Sequence, residues 1–303
     1  MEQRLYDMGV RNRLYSYFLV ETRGIYKKTF EAVAEKRLFS LMIDSGAFTV
    51  HKQGETVDIV KYADWLISMG DKIDVPINLD VIPEGPELVE KAAEQGWENQ
   101  RYLESRGIKA LPVYHAGEST KWFEKYIDSY EYIGLSKTGN LLTRSQQLIW
   151  LDTCWKRLVD DKGRPIRRIH GFGITNPEIS SRYPWYSCDS STWGQMGIYG
   201  RILVPSKNIY TKPIYGGIYV SKFHPSQRKK YVHYSGLADL EKKVVEAYAT
   251  SMGVNINDLL NEDRAEARDA INIRYFLELE KRLSSKEQIL GLQPCIWSKE
   301  DEW

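Results

Sequence analysis

Three short apolar runs of this chain each end in an aspartate. Residues 38–43 (LFSLMI) lead into Asp44 and then Ser-Gly-Ala-Phe, and residues 73–79 (IDVPINL) lead into Asp80. Residues 185–188 (WYSC) lead into Asp189 and then Ser-Ser-Thr-Trp. If these runs are parallel strands, three carboxylates arrive at the carboxyl end of one sheet, the face on which barrel enzymes carry their catalysts. Paired acids at one site are the equipment of glycosidic-bond chemistry, in which one attacks or stabilises a cationic carbon and another moves a proton. A lone aspartate at such a point is more often a helix cap. Here Ser45-Gly46 and Ser190 are available to cap instead, so three caps is the weaker account.

The elements that must position these acids follow the rhythm of a βα barrel or a doubly wound sheet. Candidate strands are 14–20, 38–43, 73–79, 109–114, 131–135, 168–173 and 185–188. An eighth is ambiguous: either 14–20 has an unread neighbour or 201–204 closes the barrel. Between the strands come punctuated helices. One spans 56–69, with Thr56 as N-cap and Gly70 just past its end. Pro86 opens the next at its first position, and it closes before Gly107. Helices at 118–129 and 143–159 follow, then a short turn from Asn176-Pro177.

Residues 190–238 change character. The stretch has no Asp or Glu, seven basic residues including Arg228, Lys229 and Lys230, and eight aromatics. Lysines and arginines can neutralise phosphates and tyrosines can stack on displaced bases; the bland alternative is an exposed basic loop with its aromatics packed inward. From about 236 to 283 the pattern turns helical, which predicts helices docked on the barrel. The expected organisation is a catalytic barrel over 1–205 and a basic aromatic segment with C-terminal helices over 206–303.

Net charge is +1 over 303 residues, so any polyanion site must be local. The three cysteines, Cys154, Cys188 and Cys295, form no CxxC pair, which fits a reducing cytoplasm better than a disulfide framework. Cys188 reads as a small core residue, and Trp122, Trp150 and Trp155 as packing residues of the barrel helices. No apolar stretch approaches the roughly 18 residues of a membrane span, and the N-terminus has no signal-peptide pattern. The expectation is a cytoplasmic protein (host cytoplasm if phage-encoded) with no membrane partner.

Six segments, in chain order, resemble motifs of the tRNA-guanine transglycosylase superfamily. DSGAF at 44–48 is similar to its DSGGF-type motif, and INLD at 77–80 to the strand ending in its base-recognition aspartate. LPVYHAGE at 111–118 resembles the IVQGG segment and YIGLS at 132–136 the GGLAVGE segment. HGFGITNP at 170–177 resembles MGVGxP, and WYSCDSSTW at 185–193 resembles FDCVLPTR. The resemblance covers roughly 40–200.

It implies a TIM-like (β/α)8 barrel with a C-terminal helical extension, and an exchange of guanine for a 7-deazaguanine such as preQ0 or a derivative. Asp189 takes the nucleophile's position, forming a covalent glycosyl-enzyme, and Asp44 the acid/base position. Asp80 falls where a carboxylate accepts from guanine N1–H and the 2-amino group. Ser45 belongs to the same pocket. Phe48 falls where an aromatic stacks on the base, with His170 opposite in place of a methionine. The Gly134-Leu135 backbone matches the stretch that touches the 7-substituent, and His115 replaces a glutamine that reads the purine carbonyl edge.

The chain departs from the tRNA enzymes at two further points. Ala47 stands where the motif has glycine, which is tolerable if φ there is negative. The CxCxxC zinc set has no counterpart, since no cysteine lies between Cys188 and Cys295, so no metal and no other cofactor is expected. Loss of that module makes the chain most like the zinc-free DpdA-type DNA-guanine transglycosylases, with DNA favoured over tRNA and a target base flipped out or single-stranded. The rivals are the same exchange on tRNA, a glycoside hydrolase on a similar barrel, and a catalytically dead nucleic-acid-binding module.

Overall fold

Helices and parallel strands alternate through the first half of the chain. The structure, a computed structural model, describes residues 2–24, 26–137, 142–174, 176–206, 213–221, 232–261 and 265–290. They begin with α1 (Glu2–Asp7), β1 (Asn12–Ser16), α2 (Lys27–Lys36), β2 (Ser40–Asp44), α3 (Ala47–His51), α4 (Ile59–Met69) and β3 (Val75–Pro76). There follow α5 (Val89–Ser105), β4 (Val113–His115), α6 (Thr120–Ser129), β5 (Tyr132–Ser136), α7 (Arg144–Leu158), β6 (Arg168–Gly171), α8 (Pro177–Arg182) and β7 (Ser187–Cys188). The chain is mixed α/β with parallel sheets.

Strand pairing follows chain order. β1, β2 and β3 pair in parallel, as do β4, β5, β6 and β7. A parallel bridge between Ile77 and Leu111 links the two groups, with Asn78 N donating to Leu111 O and Leu111 N to Pro76 O. On one face, Leu14, Met42, Val75, Tyr132 and Phe172 pack against Ile77, Leu111 and Val113. That cluster draws a residue from every strand between β1 and the end of β6.

The expected helices form, with their ends corrected by capping chemistry. The cap of α4 is Asp58, which accepts from Val60 N at 2.8 Å and Lys61 N at 3.2 Å; Thr56 lies outside the helix. A carboxylate two residues before the first free amide outcompetes a more distant hydroxyl. Thr143 and Gln146 form a capping box on α7, and Asn176 caps α8 ahead of Pro177. The run 14–20 is not one strand. β1 stops at Ser16, and Phe18–Thr22 is a π-helical turn. Tyr15, Tyr17, Phe18 and Val20 are all buried, a spacing that period-two alternation cannot satisfy along its whole length.

Two compact units divide the chain. One runs to Phe172 and takes back Trp185–Asp189; the other holds Gly173–Pro184 and the described residues from Ser190 to Leu290. The contact boundary thus falls at Ser190, earlier than 206. In the second unit are α8, α9 (Thr192–Ile198), β8 (Arg201–Ile202), β9 (Ile218–Tyr219), β10 (Val232–His233), α10 (Asp239–Ser251), α11 (Ile256–Leu260) and α12 (Ala265–Leu290). β8 pairs antiparallel with β9, so 201–204 builds a small separate sheet instead of extending the parallel array.

The core of the second unit is aliphatic, with Ile202, Val204, Ile218, Val220, Val245 and Ile271 among its buried residues. Two buried polar side chains of α12 staple it. Asn272 accepts from Leu203 N and donates to the Trp193 and Arg201 carbonyls. Arg268 donates to the carbonyls of Gly197, Leu259 and Asn261. No helix among the described residues is long and apolar enough to cross a membrane.

Candidate active site

The three aspartates end where parallel pairing ends. Asp44 is the last residue of β2, Asp80 follows β3, and Asp189 follows β7 immediately. Tyr62, fully buried on α4, reaches Ile77 O at 2.8 Å and Ile43 O at 3.2 Å, clamping β2 and β3 just before their acids. Buried amides of α5 continue the clamp, with Asn99 donating to Leu79 O and Gln100 to Ala110 O.

The turn after Asp44 needs its glycine. Gly46 has φ of 86°, and a Cβ there would meet Ser16 Oγ at 2.5 Å and Phe18 Cβ at 2.7 Å. Ala47 starts α3 and is not among the positive-φ residues, which meets the condition for replacing the motif glycine. Ser45 is fully buried and its hydroxyl accepts from Ala47 N at 3.4 Å. Phe48 is 43% exposed on α3, with the Lys52 ammonium 4.0 Å from its ring centre.

The electrostatics separate the acids. Burial raises the Asp44 carboxyl most, and the charge of Asp80 and then that of Asp189 raise it further. The Gly46 and Ser45 amides pull the other way, leaving it at about 7. Such a group can both give and take a proton at neutral pH.

His115 ends β4 between two carboxylates. Its Nε2 is 3.2 Å from Asp80 Oδ2 and its Nδ1 is 2.9 Å from Glu118 Oε1. Burial on its own would lower its pKa, but Asp80 and Glu118 outweigh burial and hold it well above the ordinary histidine value. The ring is therefore an imidazolium that already occupies one oxygen of Asp80. Beside it, Asn78, Ala93, Gly96, Val113 and Tyr126 help line a small pocket with room for about one water molecule.

His170 is 1% exposed on β6, beside β7. Its Nδ1 is 2.6 Å from Ser187 Oγ, its Nε2 is 3.3 Å from Asp189 Oδ1, and Tyr132 OH is 2.6 Å from the same Ser187 Oγ. Phe172 packs edge-on to the His170 ring at 4.4 Å. Gly134 makes room for Phe172, because a Cβ there would meet Phe172 Cε2 at 2.5 Å. Leu135 is buried and its carbonyl accepts from Phe172 N.

Asp44, Asp80 and Asp189 are thus brought within electrostatic reach, with His115 and His170 bound to two of them. Phe48 and Ser45 flank Asp44 in sequence. Arg228, Lys229 and Lys230 lie outside the described residues, and of the seven basic residues of the tract only Arg201 lies within them. Its guanidinium packs over Tyr219 and donates to Gly216 O, an internal use. Cys188, expected in the core, is exposed on the strand face opposite Ser187 and Asp189, although the surrounding protein still pushes its thiol pKa up by burial. Trp122 and Trp155 are buried as expected. No group of three or more potential metal ligands is found among the described residues.

Glu118, Ser187, Tyr132 and Phe172 had no assigned role from sequence. Alternation could have found three of them: Ser187 is two residues from Asp189, Tyr132 two from Gly134, and Phe172 two from His170. Glu118, three residues past His115, announces itself only by spacing. A scan against protein-family models and a search of curated proteins both return nothing that matches this chain.

Proposed function

We propose that this chain is a guanine transglycosylase that replaces a guanine in DNA with a 7-deazaguanine base through a covalent aspartyl-glycosyl intermediate on Asp189. The observation that carries the reading is the Asp44 carboxyl at about 7, pushed there by burial, Asp80 and Asp189. The reaction needs one group that protonates the departing purine and later deprotonates the incoming one, and such a pKa serves both steps. Asp189 supplies the attacking oxygen. Asp80 accepts from the base's N1–H and 2-amino group; each carboxylate oxygen has two lone pairs, so the bond to His115 leaves capacity for both.

The reading includes a TIM-like barrel, and the order of the strands supports it. Sequential parallel neighbours are the order of a barrel wall, whereas a doubly wound sheet reverses direction at a switch point. β2 and β7 are five steps apart, roughly 24 Å in a flat sheet at about 4.8 Å per step. Asp189 nevertheless acts on Asp44, after burial and Asp80, which supports a curled sheet in this reading.

DNA is preferred to tRNA because the sequence has no zinc-ligand set; the acid-free basic tract suits either nucleic acid. The test is to incubate purified protein with isotope-labelled guanine and either duplex DNA, single-stranded DNA or tRNA, then to measure label in nucleosides by mass spectrometry. Label entering DNA supports the proposal. Label in tRNA alone moves the activity to the first rival, and label in neither, with release of sugar from a neutral glycoside, moves it to a hydrolase.

A further inference from the structure

We infer that Tyr132, Ser187 and His170 form a one-way hydrogen-bond chain that positions the Asp189 carboxylate. The effect on turnover rests on the base-exchange reading; the direction of the chain does not.

The three residues come from adjacent strands in register. Gly134 pairs with His170 and His170 with Ser187, which puts Tyr132, His170, Ser187 and Asp189 along one face. The contacts run Tyr132 OH to Ser187 Oγ at 2.6 Å, Ser187 Oγ to His170 Nδ1 at 2.6 Å, and His170 Nε2 to Asp189 Oδ1 at 3.3 Å. With 1% of His170 exposed, bulk water does not reach its ring, and both nitrogens are engaged by these neighbours.

Direction follows from the two ends. A phenol at one end is a donor, and burial pushes its pKa up, so it keeps its hydrogen. A carboxylate at the other end accepts only. With Tyr132 donating to Ser187 Oγ, the serine hydrogen faces Nδ1 at 2.6 Å, which makes Nδ1 the acceptor and places the ring hydrogen on Nε2 toward the carboxylate. Ser187 then takes the hydrogen of Tyr132 and gives its own to Nδ1. Reversing any link would turn a lone pair toward the carboxylate.

His170 therefore acts as a positioning residue. It aims Asp189 through an Nε2–H donor set on one carboxylate oxygen. The edge of Phe172 at 4.4 Å holds the ring plane. The role differs from stacking on the base, for which a ring this deeply buried offers little face.

The test begins with the wild-type full chain. In nitrogen-15 spectra of histidine-labelled protein, His170 is expected as a neutral ring protonated on Nε2, its signals assigned by their loss in His170→Gln. Ser187→Ala should give a mixture of tautomers and lower kcat for exchange about tenfold or more, with KM for the free base unchanged. Ser187→Thr, which keeps the hydroxyl, should restore both. An imidazolium or an Nδ1–H tautomer in the wild type overturns the chain, as does a Ser187→Ala protein with unaltered tautomer. If the wild type shows the expected tautomer but no exchange on any nucleic acid, the chain stands and the proposed function fails.

Discussion

His115 and Asp80 share a 3.2 Å contact between Nε2 and Oδ2, and Glu118 closes the other edge of the same ring at 2.9 Å. Removing the ring leaves two largely buried carboxylates facing each other. His115→Ala should cost about 3–5 kcal/mol, the usual penalty for stripping one partner from a buried ionic group. The His115 pKa is raised on folding, so its contribution is complete below the ordinary histidine value of about 6.5 and fades as pH rises through the higher folded value. Urea unfolding of both proteins from pH 6 to pH 10 checks this. The gap in stability should narrow toward the alkaline end; a constant gap would mean that the ring is not charged.

Asp44 acts in the same direction over a lower pH range. Its folded value of about 7 exceeds the unfolded value near 3.9, so the native state holds a proton that the unfolded chain has released. The native protein therefore loses stability as pH climbs from about 4 to about 7, at roughly 1.4 kcal/mol per unit. Asp44→Asn, neutral throughout, should match wild type near pH 4 and exceed it by a few kcal/mol at pH 8. Its exchange rate should fall by about 10²–10⁴, the usual worth of a proton-transfer group. Thermal melts across that range and a guanine-exchange assay give both readings, and an Asp44→Asn protein with full activity would remove the acid/base assignment.

Asp189→Asn should abolish exchange, by on the order of a thousandfold or more, because the attacking oxygen is gone while volume is kept. Far-ultraviolet circular dichroism should match wild type. Near-normal incorporation of labelled guanine by this variant would force the nucleophile to be reassigned.

Gly134→Ala tests the packing behind the site. The new Cβ would lie 2.5 Å from Phe172 Cε2, so Phe172 must move from its place against His170. Overpacking of this kind costs about 1–3 kcal/mol. In the pair Gly134→Ala with Phe172→Ala the clash disappears, so the combined loss should be smaller than the sum of the two single losses. Additive losses in denaturant titrations would show that the two residues do not compete for the space.

The proposed function gives Arg228, Lys229 and Lys230 the nucleic-acid backbone. If they contact phosphates, glutamine at all three should weaken DNA binding uniformly across sequences. The slope of log affinity against log salt should drop by about 0.9 per lost contact on duplex or ~0.7 on single strands. Salt titrations with DNA and tRNA side by side decide it: unchanged slopes on both leave the tract a solvated surface, and a change on tRNA alone favours the tRNA enzyme.

Much of the scaffold could be read from residue types because apolar runs, Gly and Pro report local geometry directly. Strands β2 to β7 and the helices over 89–105, 120–129 and 144–158 overlap the runs that periodicity and caps mark. Run 14–20 failed because aromatics of any spacing look like strand, and tertiary burial of Phe18 and Val20 decided for a turn. The acids were legible as strand ends. Their partners were not: the His115–Glu118 link crosses a turn, and the Ser187–His170 and Tyr132–Ser187 contacts depend on register between strands 17 and 55 residues apart. Register is a property of the paired sheet, and no single strand carries it.

The excursion of Gly173–Pro184 into the second unit, between His170 and Asp189, has a genetic consequence. A gene fragment ending at 172 encodes six of the seven parallel strands, with Asp44, Asp80, His115 and His170 but without Asp189, and one ending at 189 encodes Asp189 together with an orphaned segment. In that segment Ile174, Ile179 and Tyr183, buried in the intact chain, lose the rest of the unit to which they belong. Recombination that exchanged everything after Ser190 would therefore have to exchange those twelve residues as well. No single cut in the sequence leaves both units whole.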